Sequence, residues 1–284
     1  MSQTIAYRLV ARSPFHIGAR GVGMEEASVV LHADTLFSAL ALALAELGYD
    51  LNGLFARFPR YEGRQLQPGE PPFWLSSAFP FSGGVYFYPR PLLRPPGLDE
   101  EGSPRLGKSL KRVQFISQAV FQTLIAGRPL AGEWLEQDPR QPDRQRLRPE
   151  LLAQGGRILL DPGESGQLAA AIEAYTGKRQ IWTEGPRPAV TVDRASSRSQ
   201  VFATGQVRFA PASGLFFLAR YADLSWRAPV EQALRMLGDA GLGGRGRRAA
   251  RERDPGERGQ ARAARRAVRP GECLVGGRAV GSRA

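Results

Sequence analysis

The chain has 284 residues with 39 basic and 27 acidic side chains, a net charge of +12, and 42% of its residues are hydrophobic. This length and apolar content suffice for a hydrophobic core, which excludes a disordered chain. With one cysteine and two histidines, a disulfide framework and a cysteine/histidine zinc cluster are excluded, and we expect no metal or cofactor.

The distribution of charge and apolar residues predicts the compartment and the kind of partner. Residues 1–15 lack the apolar core of a signal peptide, and the longest apolar run, residues 36–47, is shorter than the roughly 20 residues of a bilayer span. We therefore expect a soluble, cytoplasmic protein without a membrane partner. Residues 241–284 contain 12 Arg and 4 acidic residues, so +8 of the net charge of +12 that favours a polyanionic partner lies there.

The first half of the chain predicts a strand, a glycine loop and a helix in that order. Ile5, Tyr7 and Leu9 alternate with other residues, which is typical of a half-buried strand. A glycine-rich loop follows at 18–23, and we expect Asp34 to cap a helix that continues to Leu47. Further along, we predict strands at 73–78 and 85–88, a helix at 117–125 ended by Gly127, and an exposed insertion at 136–149.

The second half predicts more strands and a final helix. The strands are expected at 189–192, 200–203, 207–209 and 215–220. The helix is expected to begin at Pro229, to place Val230, Ala233, Leu234 and Leu237 on one face, and to stop at Gly238. This order predicts an α+β fold of two tandem ferredoxin-like units. We divide the chain into an N-terminal domain with insertions (1–185), a C-terminal domain (186–244) and a tail (245–284).

Several motifs resemble those of one known family. The most specific is the segment His32-Ala-Asp-Thr-Leu-Phe-Ser-Ala-Leu40. The others are Ser13–Gly18, Gly21–Gly23, Phe79–Gly83, Lys108–Ser117, Val192–Arg194 and Leu237–Gly244. Together they resemble, over about residues 1–244, the RAMP-superfamily subunit of type III-A (Csm) CRISPR complexes that caps the guide RNA.

The resemblance implies a fold, a ligand and partners. The fold would be two RRM-like ferredoxin domains, and the ligand would be the repeat-derived 5′ tag of the crRNA in antiviral defence. The partners would be the large polymerase/nuclease subunit and the first backbone RAMP subunit. The family is not known for an active site of its own, so the resemblance implies a non-catalytic protein.

Cations and glycines in these motifs are the candidate RNA-binding residues. They are Gly18, Arg20, Gly21, Lys108, Lys111, Arg112, Arg194, Arg198, Gly241, Gly243, Gly244 and Arg245. Cations pair with phosphates, and glycines let the backbone approach a sugar-phosphate chain closely. Phe115, next to the basic segment, could add base stacking. We expect the other prominent aromatic residues in the core: Phe15, Trp74, Tyr86, Tyr88 and Trp182.

The tail departs from the family pattern. From residue 241 on, 30 of 44 residues are Arg, Gly or Ala, and the alternating apolar residues of a closing strand are missing. Our hypothesis is that the tail is the product of a shifted reading frame, which translation of the other two frames beyond codon 244 would test. The alternative is a genuine basic RNA-binding tail.

Two enzymatic alternatives stay open. Gly102 to Ser109 matches the phosphate-loop pattern, with Gly107, Lys108 and Ser109 as its ATPase residues, although residues 95–101 do not predict the buried strand that such a loop requires. His32, just before the first helix, could instead be the general base of a RAMP-type RNA endonuclease. The structural interpretations are that His32 positions the helix and that Asp34 caps it rather than binding a metal.

Overall fold

A computed structural model describes residues 2–11, 13–18, 27–92, 109–130, 132–168, 179–192 and 199–241. These residues form two compact units that alternate along the chain. The first unit contains residues 1–9, 31–78 and those from 216 on, and the second contains residues 10–30 and 79–215. The division at residue 185 stays a prediction.

The first unit contains a small sheet. Strand β1 (Gln3–Leu9) and strand β4 (Phe73–Leu75) both border strand β14 (Ser213–Tyr221), whose residues from Phe216 on belong to this unit. Strand β4 is antiparallel to β14, with Tyr221 opposite Phe73 and Arg220 opposite Trp74. Strands β2 (Arg60–Glu62) and β3 (Gln65–Gln67) form a separate hairpin.

Two helices of the first unit pack against each other, α1 (Ala33–Glu46) and α4 (Arg227–Ala240), and the short helix α2 (Leu51–Ala56) follows α1. Their buried residues recur at helical spacing: Leu36, Leu40 and Leu44 in α1, and Val230, Ala233 and Leu234 in α4. Aromatic rings join the helices to the sheet, because Phe73 lies 6.2 Å from Phe37 and 6.1 Å from Tyr221.

The second unit contains a larger sheet, ordered β5 (Phe79–Ser82), β6 (Val85–Pro89), β7 (Phe115–Ser117), β11 (Ile158–Leu159) and β10 (Leu152–Ala153). Neighbouring strands are antiparallel except β7 and β11, which are parallel. Helix α3 (Gln118–Ile125) follows β7, and its Val120 and Leu124 pack in a cluster with Ile116, Trp134 and Leu147. Shorter helical segments occur at 109–112, 149–151, 154–156 and 162–168.

Two hairpins complete the second unit. Strands β8 (Leu135–Asp138) and β9 (Gln141–Leu147) form one, and Leu135 and Leu147 are buried. Strands β12 (Trp182–Val192) and β13 (Ser199–Phe209) form the other, which is paired without interruption from Trp182 opposite Phe209 to Val192 opposite Ser199. Its base is buried at Trp182, Val207 and Phe209, whereas Val190 and Val201 are 58% and 70% exposed.

The mixed α+β class is confirmed, and three local predictions are wrong. Residues 136–149 are not simply an exposed insertion, because they form most of the β8–β9 hairpin and bury Leu147. His32 occupies the N-cap position of helix α1 without a side-chain cap, which leaves Asp34 in the first turn, and helix α4 passes through Gly238. Among the described residues, no helix has the length and apolar character of a membrane span.

Candidate nucleic-acid interface

Four of the twelve predicted RNA-binding residues lie within the described part of the chain: Gly18, Lys111, Arg112 and Gly241. The others lie outside the described residues: Arg20, Gly21, Lys108, Arg194, Arg198, Gly243, Gly244 and Arg245. Of the alternative phosphate-loop residues, Gly107 and Lys108 also lie outside, and Ser109 begins a helical segment.

The stem of the glycine loop is bonded to strand β13. Phe15 exchanges two backbone hydrogen bonds with Val207, at 3.0 and 2.8 Å, and His16 Nδ1 lies 2.7 Å from the Gly205 carbonyl oxygen. Gly18 pairs with Ala27 where the loop begins and ends. The loop therefore starts beside the hairpin whose connecting residues, 193–198, include Arg194 and Arg198.

Gly18 has no steric need to be glycine. A Cβ atom placed there would meet only His16 Nε2, at 3.9 Å, and Gly18 is not among the residues with positive φ. The residue is exposed, so its small size leaves open surface at the mouth of the loop. Close backbone approach by a ligand is thus compatible with this position.

The basic segment before β7 supplies exposed cations. Lys111 and Arg112 are both exposed, and neither forms an ion pair with a residue in the described ranges. The Arg112 side chain lies along Gly156, where a Cβ atom would be 3.5 Å from Arg112 Cδ. Because no carboxylate of the described residues neutralises either charge, both are available for phosphate oxygens.

Phe115 is not available for base stacking, contrary to the sequence interpretation. Only 4% of the residue is exposed, and its ring meets that of Trp182 edge to face at 6.0 Å. The Trp182 ring is also in contact with Arg157, whose Cζ lies 5.3 Å from the ring centre and whose Nη1 donates to Glu184 Oε1 at 2.9 Å. The expected core position of Trp182 is confirmed.

A chain of aromatic contacts connects the predicted RNA-binding elements of the second unit. Phe15, at the loop stem, stacks on Phe209 at 5.6 Å, and Phe209 lies 6.5 Å from Trp182. Trp182 in turn contacts Phe115, three residues beyond Arg112. One row of aromatic rings therefore holds together the loop stem, the base of the hairpin and the basic segment. Phe209, Trp182 and Phe115 are buried and Phe15 is half-buried, and sequence patterns did not reveal this row.

Gly241 has a structural role at the end of α4. Its φ of +88° lies in the region that favours glycine, and its N–H donates to the Leu237 carbonyl at 2.8 Å. The helix therefore ends three residues later than the sequence predicts. The remaining residues of that glycine motif lie outside the described ranges.

The residues proposed for catalysis do not form a catalytic cluster in the described part of the chain. His32 is exposed at the start of α1, and its side chain does not cap the helix. Asp34 Oδ1 accepts hydrogen bonds from its neighbour Thr35, and His16 is engaged with the Gly205 carbonyl. Within the described ranges, no three His, Cys, Asp or Glu residues are grouped so that they could hold a metal ion.

Sequence reasoning missed one exposed aromatic site. Trp74, expected in the core, is 40% exposed, and Arg220 Cζ lies 4.3 Å from the centre of its ring. The two residues are paired across β4 and β14. Local patterns cannot show this contact, because it depends on the register of two strands more than 140 residues apart in the chain.

These features define an α+β protein with a multistranded sheet and a long hairpin, an architecture consistent with a RAMP-like fold. The chain is similar to a curated protein, "CRISPR system Cms protein Csm4" from Thermococcus onnurineus (strain NA1). The two are 24% identical over 253 residues, which is 86% of this chain and 65% of the relative. The chain thus spans about two thirds of the length of this relative. No protein-family model matches.

Comparison with solved structures found chains similar to this one in two type III-A assemblies. One is the crystal structure of the Csm3–Csm4 subcomplex in the type III-A CRISPR-Cas interference complex, with a TM-score of 0.53 and 15% identity over 86% of this chain and 66% of the other. The second is the Csm1–Csm4 cassette in complex with cA4, with a TM-score of 0.49 and 21% identity over 84% of this chain and 67% of the other. The resemblance drawn from the sequence motifs is confirmed by the relatives named Csm4.

Proposed function

We propose that this chain is a non-catalytic subunit of a type III-A CRISPR interference complex that holds the repeat-derived 5′ tag of the guide RNA. The aromatic row from Phe15 to Phe115 is the observation that carries the proposal. It anchors three elements that sequence analysis had selected separately as RNA-binding. A rigid base beside exposed cations such as Lys111 and Arg112 suits a protein that holds a nucleic acid in one register.

The exposed charge supports a phosphate-rich ligand. Lys111 and Arg112 are unpaired within the described ranges, and Arg187 and Arg208 are exposed on the β12–β13 hairpin. Single-stranded RNA combines phosphates with unstacked bases, so it can be held by cations and glycine-rich loops without duplex recognition. No turnover is required for this role.

The proposal extends to partners and domains. The similar Csm3–Csm4 subcomplex contains two proteins of the type III-A complex, and we propose that this chain likewise docks on a backbone RAMP subunit. Docking on the large polymerase/nuclease subunit is proposed from the sequence resemblance. The two tandem ferredoxin-like units, divided near residue 185, and the incomplete second sheet before the 245–284 tail are part of the same proposal.

The RNA-endonuclease alternative depends on His32. Its side chain is exposed and does not cap α1, so it is accessible to a substrate. Under the proposed function, neither the wild-type chain nor the His32→Ala variant cleaves guide RNA. Cleavage by the wild type that disappears in His32→Ala would replace the proposal with the endonuclease alternative.

The decisive experiment measures the affinity of fluorescent guide RNA, with and without its 5′ tag, for the full chain and for a shortened chain ending at Gly244. The measurement is repeated over a series of salt concentrations. Tag-dependent binding by both chains is the expected result. Binding that ignores the tag and disappears with residues 245–284 would reduce the protein to an electrostatic binder and overturn the proposal.

A further inference from the structure

The sheet of the first unit has an outer face opposite its aromatic core. Tyr7 stacks on Phe217 at 5.3 Å, and its hydroxyl lies 3.0 Å from that of Tyr221, so these three side chains share the inner face. Side chains alternate along a strand, which places Arg8 of β1 and Arg220 of β14 on the outer face.

Trp74 belongs to the same outer face because it lies directly opposite Arg220 in the β4–β14 pair. Arg220 Cζ is 4.3 Å from the centre of the indole, within the range of a cation–π contact. Both residues are exposed, and Trp74 retains 40% of its accessible surface. Phe216, also on this face, is buried, so the open surface begins at Leu218.

The composition of this outer face indicates the chemistry of a ligand. Its six remaining positions are Thr4, Ala6, Arg8, Leu218, Arg220 and Trp74. None of them is a carboxylate, and Trp74, with the Arg220 guanidinium beside it, is the one large apolar side chain among them that is well exposed. A ligand with flat aromatic groups and negative charge fits this composition.

We propose that Trp74 and Arg220 form a stacking site for a nucleobase of single-stranded RNA, on the sheet of the first unit. The cation–π contact holds the two planar groups in place before the ligand arrives, which lowers the entropic cost of stacking. This inference rests on the proposed function and adds a base-contacting site to the loops and cations of the second unit.

The test uses the full chain and the fluorescent tagged guide RNA. Trp74→Ala is expected to weaken binding about 5- to 150-fold, which is the range of one lost base stack. Trp74→Phe, which keeps a smaller ring, is expected to weaken it less. Arg220→Lys is expected to lower the affinity for RNA without changing its salt dependence, because lysine keeps the positive charge but lacks the planar guanidinium group. Tyr61→Ala, on an exposed residue of the β2–β3 hairpin, is the matched control.

A double-mutant cycle that combines Trp74→Ala with modified RNA identifies the nucleotide that stacks on Trp74. Abasic nucleotides are introduced one position at a time, and the effect of Trp74→Ala is expected to vanish at one position, where the base is already missing. If Trp74→Ala does not fold, by circular dichroism, the same cycle is measured with Trp74→Phe.

The outcomes separate this inference from the proposed function. If the wild type binds tagged RNA and both Trp74 variants bind as tightly as Tyr61→Ala, the stacking site is wrong and the proposed function stands. A Trp74 variant that binds RNA normally but loses affinity for a protein subunit would assign this face to protein docking, which also overturns the stacking site. A wild type that binds no RNA would overturn both.

Discussion

Arg57 Nη1 lies 2.8 Å from Asp223 Oδ2, so an ion pair joins the residue that ends α2 to the turn that precedes α4. Asp223 also accepts hydrogen bonds from the side chain and the backbone N–H of Ser225. The Ser225 hydroxyl first, and the Arg57 guanidinium next, lower the pKa of Asp223 from 3.8 to about 2. Both partners stabilise the ionised carboxylate.

We therefore expect Asp223→Ala to lower the thermal unfolding midpoint at neutral pH. The folded-state pKa is below the ordinary value, so the stabilisation is complete above about pH 4 and is lost as the pH falls through about 2. Thermal unfolding of the wild type and of Asp223→Ala, monitored by circular dichroism between pH 7 and pH 2, measures this difference in midpoint. Arg60→Ala is the control, because its ion pair with Glu62 is more exposed and should contribute little. A difference that persists at pH 2 would contradict the assignment.

Tyr221 is predicted to ionise above the usual range of tyrosine. Burial raises the pKa of Tyr221 and that of Tyr7, and the two hydroxyls lie 3.0 Å apart. Because the folded state resists losing these protons, stability should fall as the pH rises above about 10, where the unfolded chain ionises. Ultraviolet absorbance during alkaline titration should show tyrosines that ionise only as the chain unfolds. Tyr221→Phe should reduce by one the number of tyrosines that ionise only on unfolding.

The same substitution should cost about 0.5–1.5 kcal/mol at neutral pH, since it removes one hydrogen bond from a buried pair. Chemical unfolding in urea measures the free energy. Tyr61→Phe is the control on an exposed ring. Equal stability of Tyr221→Phe and Tyr61→Phe would show that the Tyr7–Tyr221 hydrogen bond contributes nothing.

Two glycines of α4 should respond in opposite directions to alanine. Gly241→Ala should destabilise the chain by about 1 kcal/mol, because a residue with a Cβ atom is strained at a φ of +88°. Gly238→Ala, in the exposed helix interior, should stabilise it by about 0.5–1 kcal/mol. Unfolding in urea measures both. The opposite order would restore Gly238 as the end of the helix.

Substitutions in the first helix, α1, should lower the stability of the chain only on the buried face of the helix. Leu40→Ala should cost about 2–5 kcal/mol, since the residue is fully buried against the core of the first unit. Leu42→Ala should change stability by less than about 0.5 kcal/mol, because Leu42 is 57% exposed. Equal losses in urea unfolding would mean that Leu42 is covered in the folded chain.

Lys111 and Arg112 should determine part of the salt dependence of RNA binding. Replacing both by alanine should reduce the slope of log affinity against log salt by about 1.4, if each contacts one phosphate of a single strand. Fluorescence anisotropy over a salt series measures the slope. Arg60→Ala is the control, since that arginine already pairs with Glu62. An unchanged slope in the double variant would remove these cations from the interface.

The sequence by itself determined the fold class and much of the order of elements. Alternation at Ile5 and Tyr7 predicted β1, and helical spacing of Leu36, Leu40 and Leu44 predicted α1, because burial imposes these periods on the chain locally. The motif at 32–40 also indicated the relatives that comparison later confirmed. The sequence did not determine where helix α4 ends, since a glycine that can terminate a helix occurs at both 238 and 241. Only the backbone conformation distinguishes them, because Gly241 has a positive φ and Gly238 does not.

Only the tertiary structure decided which aromatic residues are exposed and which are buried. Phe115 and Trp74 are both aromatic residues in or beside short strands, yet the first is buried against Trp182 and the second is exposed beside Arg220. Likewise, Phe15, Phe209 and Trp182 become one aromatic row only when a stem near residue 15 pairs with β13. Exposure and contact depend on strand register and on packing between distant segments, which a local pattern does not contain.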